Sequence, residues 1–223
     1  MFKIIYTKML KNKCQSYFLL FIIFIINSFL INNILTQKTI PKITIYMESL
    51  CPYCIEFITT SIKDFYEKVA KPNLAYIEII PYGNAKEVYD STLGKYTFTC
   101  QHGDNECYGN LIMTCSLNIL GRIKGQLNLI CLLENIYNNN RNFDSTLEYC
   151  LNSEPTKLQE IKDCVNSDIG NIYQHQMAQK TGEHKGVPWI LVDGVYDEET
   201  NDKIWNSLID YLCEDDKSKC YGD

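Results

Sequence analysis

Residues 42–80 read KITIYMESLCPYCIEFITTSIKDFYEKVAKPNLAYIEII, and the hydrophobic period changes twice along them. Ile43, Ile45 and Met47 alternate with Thr44 and Tyr46, a two-residue period that predicts a short strand. Beyond Cys51-Pro52-Tyr53-Cys54, the residues Ile55, Ile58, Ile62, Phe65, Tyr66 and Val69 recur every third or fourth position. That spacing predicts an amphipathic helix over 52–69, closed by Pro72 and Asn73. Residues 74–80 are near-continuously apolar, as in a strand buried on both faces. Strand, helix and strand in so short a span predict a parallel βαβ unit with a right-handed crossover. The two thiols fall at the start of its helix.

Further along, the pattern turns helical from about 100 to 181. Leu127, Ile130, Cys131, Leu133, Ile136 and Tyr137 form one apolar face, NNNRN (138–142) reads as a loop, and Pro155 opens another helix ending near Val165. GVPWILVDGVY (186–196) holds two strand-like runs around Asp193-Gly194, a hairpin signal. A last helix is expected from Thr200, with Ile204, Trp205, Leu208, Ile209 and Leu212 on one side. This order predicts an α/β chain whose 40–223 region has a thioredoxin-like fold. Its cysteine-rich helical insertion (about 100–181) would lie between the second and third core strands.

The chain has 223 residues, 46% of them apolar, which suffices for a self-supporting core. A net charge of −6, with no basic run outside the first 13 residues, argues against nucleic acid as a partner. Lys3, Lys8, Lys11 and Lys13 precede an uncharged apolar run over 17–31, the layout of a secretory leader. Residues 1–36 are therefore expected to be a signal peptide or, if retained, a signal anchor and the one membrane contact. All 27 acidic residues but only 17 of the 21 basic ones follow this leader, so the remainder carries −10. Cys14 goes with the leader, and ten of the 11 cysteines remain for an oxidising compartment, an even number as pairing requires.

Two thiols separated by two residues at a helix start can close a small disulfide ring. The backbone N–H groups there favour a negative sulfur on the first. Cys51 is thus the expected nucleophile and Cys54, one turn deeper, the resolving thiol. A structural disulfide and half of a zinc site compete with this reading. Against zinc, the nearest later pair is Cys100 and Cys107, and His102, His175 and His184 show no ligand-like grouping. No metal and no other cofactor is expected. Val187-Pro188 opens an apolar strand; in thioredoxin-like folds a cis proline at this point faces the CxxC and holds the substrate backbone, while a trans proline would merely open the strand. Both residues are candidate substrate contacts.

YMESLCPYC (46–54), IPYGNA (80–85), FTCQHGDNECYGN (98–110) and VPWILVDG (187–194) together resemble the gamma-interferon-inducible lysosomal thiol reductases. CQHGDNEC carries most of the specificity, since it reproduces that family's CQHGxxEC stretch in full. The resemblance implies a thiol reductase opening protein disulfides in an acidic endolysosomal lumen, with Cys51 and Cys54 as its active pair. Cys100, Gln101, His102, Gly103, Glu106 and Cys107 match the signature. Its cysteines are expected to be structural and His102 a packed or capping residue.

Acidic work sets its own demand. A thiol of ordinary pKa near 8.5 is thiolate about once in three thousand at roughly pH 5, so Cys51 must be strongly acidified. No Lys, Arg or His adjoins the motif, so a positive partner must come from elsewhere in the fold. No Asn-x-Ser/Thr sequon occurs, which makes sorting by N-linked sugar unavailable and leaves secretion open beside a lysosomal or endosomal destination. The expected partners are disulfide-containing protein substrates and a thiol electron donor whose identity the residues do not specify. Eight further cysteines allow four structural disulfides, of which only Cys213–Cys220, a short loop behind the last helix, is singled out. The acidic runs at 197–199 and 214–216 read as solvated surface and capping residues. Two rival functions share these features: a disulfide oxidase or isomerase of the same fold, and a secreted disulfide-rich interaction module without catalysis.

Overall fold

Strand β1 (Lys42–Met47) is the centre of the computed structural model, which describes residues 40–69, 74–214 and 218–221. The expected leader over 1–36, and Pro72 and Asn73, lie outside the described residues. Strand β1 pairs in parallel with β2 (Tyr76–Pro81), Ile43 opposite Ile77, and antiparallel with β5 (Trp189–Val192), Tyr46 opposite Trp189. The sheet order is β2-β1-β5. The predicted crossover is helical: α1 (Pro52–Phe57), a π-helical turn Ile58–Ile62, and α2 (Lys63–Lys68). Around the π turn, the Thr59 and Thr60 hydroxyls donate to the carbonyls of Ile55 and Glu56 at 2.7 and 2.6 Å. Such back-bonding loosens a helical ladder.

All of β1 beyond Lys42 is buried. Ile43, Ile45 and Met47 join the main core with Phe57, Ile58, Ile62 and Phe65, while Tyr46 packs in a second cluster with Ile80, Tyr82, Ala85 and Met177. Strand β2 has the expected two-faced burial only from Ile79 onward. Tyr76 is exposed, and Glu78 turns outward to meet Lys42 at 2.7 Å and Lys180 at 3.0 Å.

A hairpin absent from the sequence expectation follows: β3 (Lys86–Asp90) and β4 (Lys95–Thr99), turned by Gly94 at φ +67°. Val88, Tyr89 and Leu93 stay exposed, and only Tyr96 and Phe98 turn inward, Phe98 onto the Tyr82 cluster, so the stripe that marks it in the sequence is two residues long. The helical block then appears as α3 (Asp104–Leu120), α4 (Arg122–Asn135), α5 (Phe143–Cys150), α6 (Pro155–Val165) and α7 (Asp168–Lys180). Cys115–Cys164 ties α3 to α6 and Cys131–Cys150 ties α4 to α5, while Cys100–Cys107 closes the loop entering α3.

The hairpin expected at Asp193-Gly194 reduces to one bridge between Val192 and Val195. Only two residues separate that turn from Asp197, whose side chain caps α8 (Glu198–Asn206), too few to pair as a strand. Asp193 instead serves β1, its Oδ1 accepting from the Lys42 N–H at 2.8 Å. The single last helix expected is broken at Ser207 into α8 and α9 (Leu208–Leu212). Ser61 stitches the break to the π turn, donating to the Ile204 carbonyl at 2.7 Å and accepting from the Leu208 N–H at 2.9 Å. Cys213 then pairs with Cys220 of α10 (Ser218–Tyr221), as expected. Among the described residues no helix is long and apolar enough to cross a membrane.

Candidate active site

From the end of β1 the chain passes through Glu48, Ser49 and Leu50 to Cys51, which caps α1, with Pro52 where a missing N–H costs nothing. The Cys51 Sγ accepts from the Cys54 N–H at 3.4 Å and lies 3.6 Å from the Val187 carbonyl oxygen, to which its S–H can donate. The Val187–Pro188 bond is cis. The fold thus brings Cys51, Cys54 and Val187, with Pro188 bonded to it, to one place. Both thiols are free and buried, whereas the other eight cysteines of the described residues are paired. Beside Cys51, Tyr53 is 66% exposed and meets the edge of Trp205, which stacks on Phe57.

The two sulfurs are electrostatically unlike. A hydrogen bond from the Cys54 thiol is the main influence holding Cys51 down, to about 6. Burial opposes it, while the N–H groups of Cys54 and Tyr53 and the charge of His102 assist. Cys54 is pushed well above the ordinary thiol value, first by burial and then by its neighbour Cys51. His102 is thus the positive partner that the sequence around the motif lacks. It is not the capping residue expected: Gly103 precedes α3 with no side-chain cap, and it is buried Glu106 whose two oxygens meet the His102 main-chain N–H and ring Nδ1 at 3.0 and 2.5 Å.

The signature stretch also holds the loop that carries Cys51. The Ser49 N–H donates to Asn110 Oδ1 at 2.8 Å, and the Ser49 hydroxyl donates to the Glu106 carbonyl at 2.9 Å. Gly109 permits this approach, because a Cβ there would strike the Phe143 ring and sit 2.5 Å from Ser49 Oγ. Glu48 is fully buried, and its Oε1 accepts from the Asn84 N–H at 2.7 Å. Asn84 in turn bonds Gln101 at 2.7 Å and lies 3.1 Å from His184 Nε2. Burial, and next the charge of Glu106, push the Glu48 carboxyl up to about 7. Donor atoms of Glu48, His102 and Glu106 fall within 4.8 Å of one another. His102 occupies both Glu106 oxygens, one through its main-chain N–H and one through its ring, and leaves Glu48 Oε2 without a hydrogen-bond partner.

Glu48, Ser49, Asn84 and Asn110 are the residues that sequence reasoning missed. Each stands inside a stretch quoted for its resemblance, but nothing local distinguishes a buried acid or amide from a solvated one.

The family model described as "Gamma interferon inducible lysosomal thiol reductase (GILT)" matches residues 42–154, which include Cys51, Cys54 and the signature stretch but not Val187 or Pro188. The chain is 36% identical over 177 residues to the "Gamma-interferon-inducible lysosomal thiol reductase" of Carassius auratus, covering 77% of this chain and 66% of that protein. It is 30% identical over 158 residues to the protein of the same name from Mus musculus, covering 68% and 60%. "GILT-like protein 1" of Drosophila melanogaster is 26% identical over 186 residues, covering 77% and 73%. The match thus spans less than two thirds of the length of the first two relatives. With the family model covering half of its length, and with CQHGDNEC folded against the loop that carries CPYC, the chain belongs to the gamma-interferon-inducible lysosomal thiol reductase family.

Proposed function

We propose that this chain is a thiol–disulfide reductase of thioredoxin-like fold, its helical segment inserted between the second and third core strands, that opens disulfides in protein substrates. The Cys51 thiolate attacks one sulfur of the substrate disulfide, forming a mixed disulfide while the other sulfur leaves as a thiolate and takes a proton. Cys54 then attacks Cys51, the mixed disulfide breaks, and the second substrate sulfur departs reduced. Two electrons pass from the cysteine pair to the substrate, and an external thiol donor returns them. Val187 and Pro188 present main chain beside Cys51 and are the proposed substrate contacts.

The observation that carries this reading is the division among the sulfurs. Eight are locked in disulfides, and the free pair has one acidified thiol and one suppressed thiol. With a pKa of about 6, Cys51 keeps about a tenth of its population as thiolate at pH 5, which suits work in an acidic lumen, and the relatives from Carassius auratus and Mus musculus are named lysosomal. Such a lumen, or the exterior, is the proposed location, reached through the leader in residues 1–36.

Insulin reduction between pH 4 and 7.5 tests the proposal. Wild type is expected to be active at acid pH, Cys51→Ser inactive, and Cys54→Ser to accumulate mixed disulfides. A wild type inactive at every pH refutes it. Stabilising the Cys51 thiolate favours the reduced pair and so also supports a second reading, a disulfide oxidase. A reduction potential near about −120 mV would support the oxidase, and one near about −270 mV the reductase.

A further inference from the structure

Glu48 has no part in the two-thiol scheme, yet it is fully buried three residues before Cys51. A carboxylate taken out of water is costly unless its oxygens are bonded. Glu48 Oε1 has the Asn84 N–H, but Oε2 has no hydrogen-bond partner. The Cys54 thiol lies against the Glu48 backbone and within the field of its carboxylate.

We propose that Glu48 accepts the proton of Cys54 in the resolution step, and that Glu106 and His102 connect it to solvent. This rests on the assignment of Cys51 as nucleophile and Cys54 as resolving thiol. In the mixed disulfide Cys54 is a buried thiol that cannot attack until it loses its proton. The proton passes to a Glu48 oxygen and the Cys54 sulfur attacks Cys51 Sγ. As the Cys51–Cys54 bond forms, the Cys51–substrate bond breaks, and the substrate thiolate takes a proton from water. Glu48 then gives up its proton across the short gap to the Glu106–His102 pair, whose donor atoms lie within 4.8 Å of its carboxyl and whose His102 side chain is 42% exposed.

The groups facing Glu48 also supply a timing. Cys51 and Cys54 approach from α1, Glu106 from α3, and His102 and the Asn84 main chain from the loops beside it. Burial first, Glu106 next and then the Cys51 thiolate hold the carboxyl protonated, against the Asn84 N–H and His102. Once Cys51 enters a mixed disulfide its charge is gone. Glu48 therefore releases its proton more readily at the stage that requires a base.

A single turnover of the reduced full chain with 5,5′-dithiobis(2-nitrobenzoate) separates the steps. One thionitrobenzoate is released as Cys51 attacks and a second as Cys54 displaces it. Glu48→Gln is expected to keep the first phase and slow the second by about a hundredfold, with loss of its pH dependence. Glu48→Asp should recover part of that rate. Glu106→Gln, which removes the like charge, should move the second-phase midpoint to lower pH, a directed shift that a merely structural role would not produce. A second phase in Glu48→Gln that keeps the wild-type rate, or that slows while keeping the wild-type pH profile, overturns the proposal. A normal first phase in Cys51→Ser instead overturns the assignment of the nucleophile, and with it this inference.

Discussion

Replacing Cys54 by Ala removes the largest influence acidifying Cys51, and the change can be read in the rate at which Cys51 attacks a small neutral disulfide. With Cys51 at about 6 against an ordinary 9.0, its thiolate fraction at pH 5 exceeds that of an unperturbed thiol about 900-fold. The more acidic sulfur is a weaker nucleophile. A Brønsted slope of about 0.45 over three pH units lowers its intrinsic rate about 20-fold. Cys51 should therefore react about 40-fold faster than an ordinary thiol at pH 5. By pH 8 the fraction advantage falls to about 11-fold and the net rate to about half. The assay is the pH profile, from 4 to 9, of the loss of the Cys51 thiol on reaction with hydroxyethyl disulfide, quenched in acid and counted by mass spectrometry as mixed disulfide plus Cys51–Cys54 disulfide. Wild type should show a midpoint near 6. Cys54→Ser, whose hydroxyl still donates, should move it little, and Cys54→Ala should move it upward. His102→Ala should move it upward by less, because its charge ranks below the hydrogen bonds. A wild-type midpoint near 9, or a larger shift from His102→Ala than from Cys54→Ala, refutes this account of the site.

Three further outcomes follow from the packing. The Glu48 carboxyl is raised from 4.5 to about 7, so its contribution to stability is present below pH 4.5 and is lost as pH rises through 7, by about 3 kcal/mol in all. Thermal melts should accordingly show Glu48→Gln gaining on wild type between pH 5 and 8; a gap that narrows with pH contradicts this. Removing Cys115–Cys164, with a sequence separation of 49, should cost about 4 kcal/mol and lower the Tm by about 8–16 °C. Removing Cys131–Cys150, with a separation of 19, should cost about 3 kcal/mol, and the reverse order in denaturant titrations would show that loop length does not govern either bridge. Gly109→Ala should destabilise by about 1–3 kcal/mol and slow Cys51 as well, since the new methyl meets both Phe143 and Ser49; an unchanged melting temperature would show that α3 does not bear on the loop.

The parts of the fold legible in the sequence are those whose period comes from one-sided burial. Ile55, Ile58, Ile62 and Phe65 are all buried in the main core despite the π turn, so their spacing locates the helix even where its hydrogen bonding departs from α. The β3–β4 hairpin escaped because Val88, Tyr89 and Leu93 remain at the surface, while its inward side rests on two aromatics, Tyr96 stacked on His175 at 3.7 Å and Phe98 edge-on to Tyr82, too few to mark a period. The break at Ser207 escaped for a different reason. Ile204 and Leu208 keep helical spacing across it, and what divides them is a hydroxyl from Ser61, far away in the chain.

The same distinction separates the thiols from the groups that tune them. That Cys51 caps a helix and Cys54 lies one turn deeper follows from two intervening residues and a proline, so position alone identifies which of the two buried sulfurs is the less deeply covered. The acidity of Cys51 is set first by Cys54 itself, with only its last contribution coming from 102, whereas the protonation of Glu48 depends on burial and on neighbours brought from 106 and 84. His102 shows how the two levels meet. Four residues before Glu106 it can engage the buried carboxylate, a local relation that the sequence permits. Only because Ser49 is bonded to Asn110 and to the Glu106 carbonyl does that pair come to rest against the loop between β1 and α1. The signature stretch therefore does two things with one helix entrance. It fixes the backbone that carries Cys51, and it sets beside that thiol a charge its own segment lacks. If the two roles are separable, Asn110→Ala should disturb both the Cys51 profile and stability, whereas His102→Ala should shift the profile with little change in melting temperature. Equal losses of stability in both variants would show that His102 acts only as packing.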